Sequence, residues 1–165
     1  MNIQIRIARP LYELIRLDLA RAHPFAAERV GFAYGHLSDA GADTRLIILK
    51  EYRPLADDRY VDDPKCGARI DSQAIRSAMQ HSIDSGGGAF HVHSHDWPGC
   101  PRFSPLDREE LPRLIPSFQA VRPSAAHGIL LLSRDACAAE VWLPGKKEAL
   151  SPRNISVVGF PPEVF

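Results

Sequence analysis

The segment His91-Val92-His93-Ser94-His95-Asp96 places three of the chain's seven histidines at alternate positions. On an extended strand, residues two apart share a face, with Cα atoms about 6.5 to 7 Å apart. Two imidazoles so placed can converge on one metal ion, for which zinc–nitrogen bonds are roughly 2.0 to 2.1 Å. A strand face built only for packing carries apolar side chains, so a metal site is the first reading and a satisfied polar face the second. Spacing alone does not say which pair binds. Downstream stands Ser104-Pro105-Leu106-Asp107. By itself this is an ordinary helix start: Ser at the N-cap, Pro in the first turn, an acid near the positive end. Beside the histidines it reads differently. An Asp in a first helical turn is a rigid third ligand, and a nearby Ser hydroxyl can donate to an oxyanion.

Upstream, Glu28-Arg29-Val30-Gly31-Phe32-Ala33-Tyr34-Gly35 has the sense E-x-x-G-x-x-x-G and follows a helical stretch. An upstream Glu, then His-Ser-His, then a loop and Ser-x-x-Asp, in that order, resembles the JAMM motif of the MPN+ metallopeptidases. The resemblance runs from about Leu11 to Trp142. It implies His93, His95 and Asp107 as ligands of one zinc ion per chain, Glu28 as catalytic acid/base and Ser104 as oxyanion donor. His91 is then a supporting neighbour on the ligand face, or a ligand if the register shifts. Three protein ligands leave a fourth position for water, as in catalytic zinc sites. The sequence departs from the family pattern twice: eight residues, Asp96 to Phe103, separate the second His from the Ser where seven are usual, and Asp96 replaces a frequent proline.

The resemblance further implies a peptidase or isopeptidase acting after the C-terminal tail of a ubiquitin-like protein, in deconjugation or precursor processing. Short stand-alone members resemble those of bacteria and archaea, which accompany E1-like and E2-like enzymes, sulfur-carrier proteins or antiphage conjugation systems. The loops at 53 to 68 and 96 to 103 are candidates for substrate contact, with Trp97 and Phe103 as anchors. Two other readings compete. An MPN-type scaffold has the same fold without working metal ligands. PHP-type phosphoesterases also carry HxH on a strand, but near the N-terminus and with several later histidines; only His127 follows here.

Composition narrows the setting. At 165 residues and 45% apolar, the chain suits one globular domain with one substantial core. Twenty basic and twenty acidic residues cancel, which removes any bulk electrostatic case for nucleic acid or an anionic membrane as partner. No apolar run approaches the roughly 18 residues of a spanning helix, and Met1 to Arg9 lacks the apolar middle of a signal peptide. The expectation is a cytoplasmic protein. Three separated cysteines, Cys66, Cys100 and Cys137, with no CxxC pair, suggest neither a disulfide framework nor a thiolate zinc knuckle.

The elements that must position the candidate residues follow from periodicity. Residues 10 to 22 read as an amphipathic helix whose apolar side holds Leu11, Leu14, Ile15, Leu17 and Leu19. Strands at 29 to 36 and 45 to 50 flank a turn over 38 to 43, forming a hairpin. Residues 53 to 68 read as a loop, and 72 to 82 as a helix capped by Asp71 or Ser72. After Gly86-Gly87-Gly88 comes a strand over 89 to 95. A helix opens at Ser104-Pro105 and is kinked or stopped by Pro112. Strands follow at 128 to 132 and 137 to 142, with one more near 155 to 158. The pattern predicts an α/β (α+β) fold: one MPN/JAB-like domain over 1 to 165, a mixed sheet flanked by helices, its core at about 10 to 145 and a strand or tail over 146 to 165.

Overall fold

The computed structural model describes residues 1 to 24 and 26 to 165. The chain opens on strand β1 (Asn2–Ala8) and helix α1 (Arg9–Leu19), then the antiparallel pair β2 (Val30–Asp39) and β3 (Thr44–Pro54). Two short strands, β4 (Tyr60–Val61) and β5 (Arg69–Ile70), pair apart from the main sheet. Helix α2 (Ser72–Ser85) leads into β6 (Gly88–Ser94). Helix α3 (Pro105–Glu110), a 3-10 turn at Leu111–Leu114 and helix α4 (Ile115–Val121) follow, then β7 (His127–Leu132), β8 (Cys137–Trp142), β9 (Asn154–Val158) and β10 (Glu163–Val164). Eight strands form one mixed sheet in the order β10-β9-β1-β3-β2-β6-β7-β8. This is the expected α/β domain with a mixed sheet and flanking helices.

Strand alternation sorts the residues onto two faces. Ala33 of β2 and Phe90 and Val92 of β6 point into the larger core, with Tyr12, Ile15 and Leu19 of α1 and with Leu130 and Leu132 of β7. Phe32 and Tyr34 point the other way, against Ala89, Ala78 of α2 and Phe118 of α4. In the β2–β6 register Val30 lies opposite His93 and Phe32 opposite His91. The histidines therefore occupy the face covered by α2 and α4, and α1 backs them from behind.

β1 was not foreseen. Its Ile3, Ile5 and Ile7 are buried and alternate with Asn2, Gln4 and Arg6, the period of a strand with one covered face. It runs parallel to both β3 and β9. Together with Ile155 and Val157 of β9 it extends the core beyond residues 10 to 145 at both ends. Helix α1 is also rotated from expectation. Tyr12, Ile15 and Leu19 face inward, whereas Leu14 and Leu17 are 50% and 72% exposed. Within 53 to 68 the loop contains a 3-10 turn at Asp57–Arg59 and strand β4. Pro112 tightens α3 into the 3-10 turn, after which Ile115 and Phe118, three apart, anchor the unforeseen α4.

The ends of the helices explain their limits. Asp71 caps α2 by accepting the Ala74 N–H at 2.7 Å, and Gly86 closes it in the left-handed region at φ 71°, where a side chain would be strained. Gly31 is required for space instead. A Cβ there would lie 2.2 Å from the Tyr52 hydroxyl, which donates to Asp18 at the end of α1 at 2.6 Å. The glycine thus leaves room for the Tyr52 ring, whose hydroxyl ties β3 to the end of α1.

His127 opens β7 fully buried, stacked on Phe118. Its Nδ1 accepts the Ala89 N–H at 3.1 Å and its Nε2 faces the Arg122 carbonyl at 3.0 Å, which fixes the neutral tautomer with the proton on Nε2. Burial holds its pKa below the ordinary value; the bond to the Arg122 carbonyl opposes this only in part. An unfolded chain, with a histidine pKa of about 6.5, takes up the proton first as the pH falls. Stability from this group is present above about pH 6.5 and is lost below it, until the depressed folded pKa is passed. The urea midpoint is expected to drop between pH 7 and 5. A His127→Gln variant should start lower at pH 7 and drop less. Equal drops in the two proteins would remove His127 as a source of acid sensitivity.

Candidate metal centre

The three alternating histidines are all buried: His91 and His95 are 5% exposed, His93 2%. β6 delivers His91 and His93 directly; His95 follows its last residue and is held by its N–H to Leu132 O at 2.9 Å. Glu28 lies two residues before β2 begins, outside the strand, and its carboxylate reaches the histidine face from there. Donor atoms of Glu28, His93 and His95 all lie within 4.8 Å of one another, and this cluster could hold a metal ion. Asp107 reaches the same place from α3. Its Oδ1 lies 3.3 Å from His93 Nε2 and its Oδ2 3.4 Å from His95 Nε2. Glu28 Oε1 lies 3.7 Å from His95 Nε2. Four side chains from three segments thus meet around one point.

The imidazoles are poorly served by the protein alone. Both nitrogens of His93, and Nδ1 of His91 and of His95, are buried without a hydrogen-bond partner. A buried polar atom left unpaired costs about 1 to 3 kcal/mol, so such a group of atoms needs an explanation. His93 Nε2 is near Asp107 but forms no well-aligned hydrogen bond with it. Imidazole with carboxylate is a donor set that suits zinc among other divalent metals. The residues present therefore fit an ion.

The two carboxylates differ in environment. Burial tends to raise the pKa of Asp107, but the adjacent His93 and the N–H and hydroxyl of Ser104 outweigh it and hold the carboxyl well below its usual range. Burial raises that of Glu28, and the neighbouring Asp107 charge adds to this, against the partial opposition of His93 and His95. One acid is fixed as an anion and the other is readier to take a proton. Opposed shifts in paired carboxylates are a mark of divided roles.

Asp107 is also the most firmly placed of the four. Its Oδ2 accepts the Ser104 N–H at 2.7 Å, and its own N–H donates to Ser104 Oγ at 3.1 Å, a reciprocal capping box at the start of α3. The bond to Oγ occupies a hydroxyl lone pair and leaves the hydroxyl proton available. The ordinary helix-start reading of Ser104-Pro105-Leu106-Asp107 is therefore realised, and the carboxylate that closes the capping box lies within 3.4 Å of both imidazoles.

His91 lies deeper along the strand. It meets Phe32 edge-on at 5.7 Å, and its ring centre is 5.4 Å from that of His93. Burial, helped by His93, pushes its pKa down to about 3, so it is a neutral wall of the site, outside the ligand cluster. Trp97 packs on His95 at 4.6 Å between ring centres and is 48% exposed. Phe103 instead packs with Ile115, Ile129 and Trp142, so it does not stand free as an anchor. A cavity of about 530 Å³ opens beside the cluster, with Glu28, His95, Trp97, Arg16 and Arg134 in its walls. Nothing in the sequence pointed to it, because its walls come from four separated segments.

The three cysteines are free thiols, and Cys137 is buried. Among the described residues no helix is long and apolar enough to cross a membrane. Compared with known proteins, the chain matches no family model and no curated protein at a significant level.

Proposed function

We propose that the chain is a zinc-dependent peptidase or isopeptidase of the JAMM (MPN+) type, acting after the C-terminal tail of a ubiquitin-like protein. One observation carries the reading: two strand histidines with unpartnered buried nitrogens face the Asp107 and Glu28 carboxylates at 3.3 to 3.7 Å. His93, His95 and Asp107 would hold the ion, and Glu28 is the proton carrier. When bound, zinc supplies Lewis acidity at the scissile carbonyl and acidifies water at neutral pH.

Glu28 takes the proton of the attacking water and returns it to the leaving amine, a role that suits an acid whose pKa burial has raised. The Ser104 hydroxyl, its lone pair engaged by the Asp107 N–H, donates to the developing oxyanion. One such donor is worth about 2.7 to 4 kcal/mol. The cavity beside Glu28 and His95 is the place for residues next to the scissile bond, with Trp97 at its edge. E1-like and E2-like enzymes of one conjugation system, in the cytoplasm, are the partners this reading implies.

The test is incubation with fusions of ubiquitin-like proteins to a reporter, with and without a chelator. Cleavage after the tail, abolished by the chelator and restored by zinc, is the expected result. A protein that purifies without stoichiometric metal, binds none and cleaves no fusion would be a scaffold of the same fold.

A further inference from the structure

We infer that Gly67 is a positioning residue for Glu28: its carbonyl and its missing side chain together hold the Glu28 carboxylate against the histidine pair. The inference rests on the peptidase reading for its catalytic consequence, but its physical basis is independent of that reading.

Glu28 belongs to no strand or helix; residues 26 to 29 run as bends and coil. A side chain there needs an external hold. The Ala27 and Glu28 N–H groups both donate to the Gly67 carbonyl, at 2.8 and 3.0 Å. A Cβ built on Gly67 would lie 2.5 Å from Glu28 Cδ and 2.7 Å from each carboxylate oxygen. Real Cβ atoms do not approach that closely, so a methyl at this position must displace either the carboxyl group or the turn. No left-handed backbone conformation is involved at Gly67. The requirement is for space at one point, directly against the proposed proton carrier.

The turn that presents Gly67 is itself anchored. Asp63 Oδ1 accepts the Lys65 N–H at 3.0 Å, its Oδ2 accepts from Arg69 at 2.9 Å, and its carbonyl accepts the Cys66 N–H at 3.3 Å. Val61 and Arg69, at the two ends of the turn, are partners in the β4–β5 pairing. The base of the turn is thus pinned by a carboxylate and a strand pair, and its tip rests on Glu28. Yielding at the contact falls to the Glu28 side chain, whose carboxyl is on a flexible stem.

Misplacement of a reacting group by about 1 Å can cost on the order of 10²-fold in rate. Gly67→Ala is expected to keep zinc at one per chain, lower kcat by about 10- to 100-fold and leave KM nearly unchanged, since the substrate's own contacts are elsewhere. An independent readout needs no turnover. In metal-free protein, Gly67→Ala should lower the melting temperature by several degrees in the wild-type background. In a Glu28→Ala background it should have little effect, since the methyl enters vacated space.

A similar fall in both backgrounds, or unchanged kcat in an active enzyme, would overturn the inference. If Gly67→Ala alone does not fold, the double variant must; failure of both would also overturn it. If the wild type cleaves nothing, the peptidase reading fails, while the thermal comparison still decides whether Gly67 acts through Glu28.

Discussion

Glu28→Gln is expected to keep the fold and the metal while lowering turnover by about 10²- to 10⁴-fold, the usual worth of a general acid/base. The substitution is nearly isosteric, so the packing of the side chain over Gly67 and the bonds to the Gly67 carbonyl are preserved. What changes is the ability to accept a proton. Asp107 remains in place through Ser104 and is unaffected by loss of the Glu28 charge as an anchor, because its hold comes from the helix start. The check is paired: metal per chain by elemental analysis, and single-turnover cleavage of a fusion substrate. A variant with normal rates removes Glu28 from the chemistry. One that loses its metal makes Glu28 a ligand, a role its distance of 3.7 Å from His95 Nε2 makes geometrically accessible.

The second large effect concerns the ion and stability together. Because His93 is 2% exposed with both ring nitrogens unpartnered, the metal-free protein carries a cost that ligation removes. A ligand that binds only the folded state at 1,000 times its Kd adds about 4 kcal/mol. Zinc is therefore expected to raise the unfolding midpoint of the wild type strongly, and a chelator to reverse the rise. His93→Ala should abolish most of the rise, with affinity reduced by more than the roughly 10- to 100-fold typical of outer-shell losses. Protons compete with a metal ion for its protein ligands, so the rise should be smaller in acid. Calorimetric scans with and without zinc at pH 7.5 and 5.5 measure all of this. A wild-type midpoint indifferent to zinc, cobalt and manganese would end the metal reading.

Much of the site was legible because its parts obey local rules. The period of a strand put His93 and His95 on one face, and the grammar of a helix start located Ser104 and Asp107. The convergence of these segments with Glu28 is an expectation of the resemblance alone; in the fold Glu28 clusters with His93 and His95, and Asp107 comes within 3.4 Å of both imidazoles. Other features had no local signal. β1 alternates plainly, but its partners are β3 and β9, and the parallel pairing with β9 joins residues about 150 apart in the chain. Leu14 and Leu17 fit a helical stripe by spacing, yet the sheet is met by the Tyr12–Ile15–Leu19 side. Gly67 looked like any loop glycine, since the atom it makes room for belongs to a residue 39 positions earlier.

The capping box at Ser104 and Asp107 carries a further consequence for how the site assembles. α3 has six residues and none of them is buried. So short a segment depends on its capping box at one end and, at the other, on its continuation into the 3-10 turn and α4, which Ile115 and Phe118 bury. Its first turn is organised by the very carboxylate that would grip the ion, so ordering and ligation become a single cooperative equilibrium. Loosening of this first turn would be felt as faster metal escape, and a captured ion would staple it to the histidine strand.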